Sequence, residues 1–79
     1  MNYELLRRVM EKKGVLQKEM ADYLGIKPGT WGRKMRGKSE FTLSEINKIS
    51  EILLLENREV MLIFFGQKVS YRKQRGWEE

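Results

Sequence analysis

The chain has 79 residues, with 16 Lys and Arg against 11 Asp and Glu, a formal net charge of +5, and neither His nor Cys. That length holds one small domain with a thin margin of stability. Without Cys there is no disulfide framework, thiolate nucleophile or zinc–sulfur site, and without His the commonest general base and metal ligand are missing, which excludes most small enzymes and disulfide-stapled secreted domains.

Asn2 is placed to cap a first helix, in which Leu5, Leu6, Val9 and Met10 recur at helical spacing and Gly14 is the stop. Gln17 to Leu24 reads as a short second helix with Met20, Ala21 and Leu24 inward, closed by Gly25. Pro28 suits the first position of a third helix, where its missing N–H costs nothing. That helix runs to about Arg36, with Trp31 and Met35 inward and Gly37 as the stop. Thr42 and Glu45 form a capping box for a fourth helix along Leu43, Ile46, Ile49 and Leu53. Asn57 is placed to cap a fifth, holding Val60, Leu62, Ile63 and Phe64. The run over 60–65 is apolar on all sides and fits a strand by composition, but it sits behind a helix cap and is read as helix; nothing alternates cleanly with period two elsewhere, so the predicted class is all-α with five helices.

Charge is distributed unevenly. Residues 27–38 carry Lys27, Arg33, Lys34, Arg36 and Lys38 and no acid, and the remainder of the chain sums to zero. A neutral body with one cationic stretch suits docking on phosphate, so nucleic acid is the first expected partner. A second cluster, Lys68, Arg72, Lys73 and Arg75, falls in a polar tail over residues 67–79, set apart from a domain over 1–66. It reads either as a frayed end or as an arm touching the nucleic-acid backbone. The longest apolar run, Val60 to Phe65, falls far short of the roughly 20 residues that cross a bilayer. Glu4, Arg7 and Arg8 interrupt any signal segment, so a cytoplasmic location with no membrane partner is expected.

The two short helices joined at Gly25 are the informative constellation. A small residue at Ala21 lets them cross closely, Gly25 supplies the positive φ of a tight turn, and Leu24, Ile26 and Trp31 bury the elbow. In residues, this is Gln17-Lys-Glu-Met-Ala21-Asp-Tyr-Leu-Gly25-Ile26, then Trp31 and Arg36-Gly37-Lys38. The pattern resembles the helix-turn-helix of the lambda-repressor-like family, the Cro/phage-repressor type, over roughly residues 3 to 65. The resemblance implies a five-helix all-α domain that binds double-stranded DNA as a dimer, with the third helix in the major groove.

Carried over residue by residue, the resemblance assigns Gln17, with Lys18 beside it, to a phosphate at the start of the second helix. Lys27, Pro28, Gly29, Thr30, Arg33, Lys34 and Arg36 fall on the surface offered to base edges and flanking phosphates. Lys38 and Ser39 would hold the backbone. Arg33 is the residue expected to make a bidentate contact to guanine. Four positions depart from the family pattern. Gly29 and Gly32 sit inside the third helix, each costing about 0.8–1 kcal/mol against Ala. Lys34 occupies a usually apolar position, whose burial Met35 is expected to take over. Leu54 stands where a glycine ends the fourth helix, so that corner is expected to be built differently.

The apolar run leaves two expectations open: it completes the core, or Val60, Ile63, Phe64 and Phe65 form a two-fold contact between copies. The leading functional reading is a small prophage- or mobile-element-type repressor or Cro-like protein that occludes an operator. An alternative is a protein-interaction module, antirepressor- or antitoxin-like, on the same fold with weak DNA reading. An enzyme is not expected, because Ser39, Ser44, Ser50 and Ser70 have no histidine to activate them. No cofactor, metal or small-molecule substrate is expected either.

Overall fold

The first helix, α1, spans Tyr3–Lys13 because its two ends satisfy the backbone groups a helix leaves open. Asn2 Oδ1 accepts from the Leu5 N–H at 3.0 Å, and the N–H of Gly14 donates to the Glu11 carbonyl at 3.1 Å. The chain is seen here in a computed structural model, which describes residues 1–66. Both expectations for the tail over 67–79 lie outside the described residues.

Helices α2 (Gln17–Leu24) and α3 (Pro28–Met35) meet at a tight corner. Gly25 adopts φ 72°, in the left-handed region where a Cβ is costly. Its N–H donates to the Asp22 carbonyl, and the Ile26 N–H reaches back to Ala21, each at 3.0 Å. Ala21 is fully buried at the crossing. The third helix ends at Met35 with Arg36 as its cap, after which Lys38 N–H donates to the Arg33 carbonyl at 2.9 Å.

Helix α4 (Leu43–Leu53) opens on the expected box. Thr42 Oγ1 accepts from the Glu45 N–H at 3.1 Å, and Glu45 Oε1 accepts from the Thr42 N–H at 2.8 Å. Its far end corrects an expectation. Leu54 takes φ 54° and ψ 48°, the left-handed geometry of a glycine, so the corner is closed in the same manner with a costlier residue. Helix α5 (Asn57–Phe64) is capped one residue earlier than expected. Glu56 is the cap and Asn57 the first helical residue, because Glu59 accepts from the Glu56 N–H at 2.8 Å and closes the turn.

The core draws on every helix: Leu6 and Met10, Met20 and Leu24, Trp31 and Met35, Ile49 and Leu53, Ile63 and Phe64. Trp31 meets Phe41 edge-on at 5.5 Å between centroids, and Phe41 meets Phe64 at 6.2 Å. The Asn2 N–H donates to the Ile63 carbonyl at 2.6 Å, and the Lys13 ammonium reaches the Leu53 carbonyl, so α1 is tied to both later helices. Among the described residues, no helix is long and apolar enough to cross a membrane.

The apolar run of α5 is divided by the helical period. Ile63, fully buried, and Phe64 belong to the core, which corrects their expected place in a contact between copies. Val60 is half-buried against that core. The exposed face instead carries Arg58, Met61, Leu62 and Phe65, spaced i, i+3, i+4 and i+7.

Candidate nucleic-acid interface

Helical spacing decides which residues of α3 face outward. Trp31, Lys34 and Met35 are buried, so the opposite ridge holds Gly29, Arg33 and Arg36 at i, i+4 and i+7. Lys27, Pro28, Gly29, Thr30, Arg33 and Arg36 are all exposed, as is Lys38 just beyond the helix. Ser39 is half-buried. No salt bridge engages Lys27, Arg33, Arg36 or Lys38 among the described residues. Four exposed cations thus surround one short helix without a carboxylate partner there, a field that suits phosphate oxygens.

Lys34 does not join them. Its side chain is turned inward, leaving the residue 8% exposed. The ammonium lies 3.1 Å from Glu45 Oε1, donates to the Glu40 carbonyl at 2.9 Å, and sits 5.7 Å from the centre of the Phe41 ring. The expected phosphate contact from Lys34 is therefore corrected: its charge is consumed inside the fold. Met35 does not replace it in the core either, because both are buried. The Lys34 stem fills the apolar position while its head finds three partners.

Those partners fix the end of α3. Glu45 caps α4 and binds Lys34 through the same carboxylate oxygen. Burial alone pushes its carboxyl up, but the Thr42 N–H, the Lys34 ammonium and the Thr42 hydroxyl together hold it below the ordinary carboxylate value. One ion pair thus joins the third helix to the fourth.

The start of α2 is arranged by a second cross-link. The Trp31 indole N–H donates to Gln17 Oε1 at 2.8 Å. With its oxygen held, Gln17 keeps its NH2 group to donate outward. The Gln17 and Lys18 backbone N–H groups lie in the first turn, where no intrahelical acceptor reaches them. The Leu16 N–H is already taken by Glu19 Oε1 at 2.9 Å. Gln17 and Lys18 are both exposed, at the end of α2 to which Trp31 reaches across.

Sequence reasoning placed Trp31 in the core and missed its polar role. The signal was present, since a buried indole N–H almost always has a partner. The Lys34–Glu45 pair was also missed. Both residues had been given other tasks, one on phosphate and one in a capping box, and nothing in their spacing of eleven positions links them.

Compared with known proteins, residues 5–59 match the family model described as the Cro/C1-type HTH DNA-binding domain, well over half of the chain. No curated protein matches the chain, and no solved structure does.

Proposed function

Since the chain belongs to the Cro/C1-type helix-turn-helix DNA-binding domain family, and DNA binding and transcription regulation come with that membership, we propose that it reads a specific double-stranded operator and represses by occluding it. The reading is of a small repressor or Cro-like protein of prophage or mobile-element type. The observation that carries it is the set of four exposed cations on and beside the outward ridge of α3, none in a salt bridge among the described residues, flanked by a Gln17 amide that Trp31 holds with its donor side outward.

On this reading α3 enters the major groove. Arg33, with Thr30 beside it, meets base edges, while Lys27, Lys38, Ser39, Gln17 and Lys18 meet phosphates. Phosphate contacts fix the register, and base contacts choose the sequence. The exposed face of α5, Met61, Leu62 and Phe65, is the proposed contact between two copies. Such a pair would set the two α3 helices about 34 Å apart, one turn of B-DNA.

Selection of bound sites from random duplexes tests this directly. A palindrome with fixed centre spacing is the expected result. Retention of every sequence alike, with a steep salt dependence and no motif, would overturn the specific reading.

A further inference from the structure

We infer that Arg36 is a second base-reading residue, laid along the groove face of α3 by the missing side chain at Gly32, so that each half-site carries two G·C pairs. The inference rests on the DNA-reading proposal above and extends it to a residue that proposal leaves without a base.

Arg36 caps the end of α3, where a long side chain leans back over the preceding turn. Here it folds back along the helix. One guanidinium nitrogen lies only 3.1 Å from the point a Cβ on Gly32 would occupy. The guanidinium therefore rests over the glycine, beside the ridge of Gly29 and Arg33, and no carboxylate holds it there among the described residues. Around Gly29 no other group comes within 4 Å of a Cβ position, so that part of the ridge is also bare.

A helix with ordinary side chains is about 10–12 Å across, nearly the full 12 Å width of the major groove. Gly29 on the outward ridge and the half-buried Gly32 beside it let the backbone of α3 sit deeper. A long side chain on such a helix has no room to point straight out, and must lie along it. That is the attitude of Arg36. The guanidinium offers a planar fork that matches the O6 and N7 acceptors of guanine, which an ammonium cannot reproduce.

Arg33 and Arg36 are three residues apart, about 4.5 Å along the axis and about 5–6 Å between Cβ atoms. Base pairs are stacked about 3.4 Å apart. With its guanidinium folded back to the level of Gly32, Arg36 stays within a base step or two of Arg33, so the two forks address neighbouring guanines. A cation at this end of a helix also favours the dipole, but any cation does so.

The test uses that difference. Bound sites are selected from random duplexes with the parent chain, with Arg36→Lys and with Arg33→Lys. Both variants keep the charge, and both positions are exposed. The parent is expected to select two G·C positions per half-site. Arg36→Lys is expected to lose preference at one of them by roughly 5- to 150-fold and retain the other; Arg33→Lys does the reverse. The salt dependence stays as in the parent. If Arg36→Lys selects the parental motif, or weakens all sequences equally, Arg36 touches only phosphate and the inference is overturned while the DNA-reading proposal stands. If the parent itself selects no motif, the DNA-reading proposal falls, and this inference with it.

Discussion

The indole N–H of Trp31 donates to Gln17 Oε1 at 2.8 Å, joining the buried elbow of the helix-turn-helix to the first exposed residue of α2. The bond spans the corner at Gly25 and fixes which end of the Gln17 amide points outward. Trp31→Phe removes the donor and keeps an aromatic ring against Phe41. The lost hydrogen bond and the smaller ring together are expected to cost about 1–3 kcal/mol of stability. The binding consequence is more specific. With its amide released, Gln17 contributes less, so Gln17→Ala should weaken DNA binding several-fold in the parent and much less in the Trp31→Phe background. Binding titrations of the four proteins in a double-mutant cycle measure this coupling; equal effects in both backgrounds would show that the bond does not orient Gln17.

Lys34 and Glu45 provide a prediction in pH. Glu45 is held below its ordinary value in the folded chain, so it binds its proton more weakly there than in the unfolded chain. Its contribution is present above the unfolded carboxylate value, about 4.3, and is lost as pH falls through the lower folded value. Urea midpoints should therefore decline below about pH 4.3. Glu45→Gln should narrow its gap from the parent along that acid limb. At neutral pH, Lys34→Ala leaves a largely buried carboxylate without its cation and should cost about 3–5 kcal/mol, whereas Lys34→Met with Glu45→Gln, which removes both charges and keeps the stem, should cost far less. A double variant as unstable as Lys34→Ala would mean that the lost ion pair and the Lys34–Glu40 hydrogen bond, rather than a carboxylate left without its cation, set the cost.

All five helices and the Gly25 corner were legible in the sequence because short-range rules govern them: caps, glycine stops and apolar spacing. What failed to show was long-range or depended on which of two neighbours turns inward. Lys34 reads as a surface cation because its neutralising partner is in another helix. Ile63 and Leu62 are equally apolar on paper, and only the packing of α5 against α1 puts one inside and the other out. The roles of Gln17 and Arg33 were legible through the resemblance of the helix-turn-helix pattern, but the attitude of Arg36 over Gly32 needed coordinates.

Leu54 offers a stability gain that touches no function. It holds φ 54° at a corner where it is 80% exposed, so its side chain gives little burial in return for the left-handed backbone. Leu54→Gly relieves a strain of about 1–2 kcal/mol, partly offset by the greater freedom of glycine in the unfolded chain. A net gain of about 0.5–1 kcal/mol is expected in chemical denaturation, with DNA binding unchanged. A loss of stability would mean that Leu54 packs against something other than this chain's described residues.

Two adjacent residues of α5 separate folding from pairing. Ile63 is sealed in the core, and a carboxylate there would be buried without a partner, so Ile63→Glu should unfold the domain. Leu62, 42% exposed on the face with Met61 and Phe65, has room for a charge in the single chain. If that face joins two copies, Leu62→Glu sets two carboxylates near one another across a two-fold axis, and repulsion adds to the lost apolar contact. Sedimentation velocity should then find the parent dimeric at high concentration and Leu62→Glu monomeric, with parental helicity by circular dichroism. On DNA, the variant should bind paired half-sites no better than two independent single sites, because the second contact is no longer made at the raised effective concentration that pairing provides. A parent that stays monomeric throughout, and gains nothing from a second half-site, would remove α5 from the binding mechanism and leave each copy to act alone.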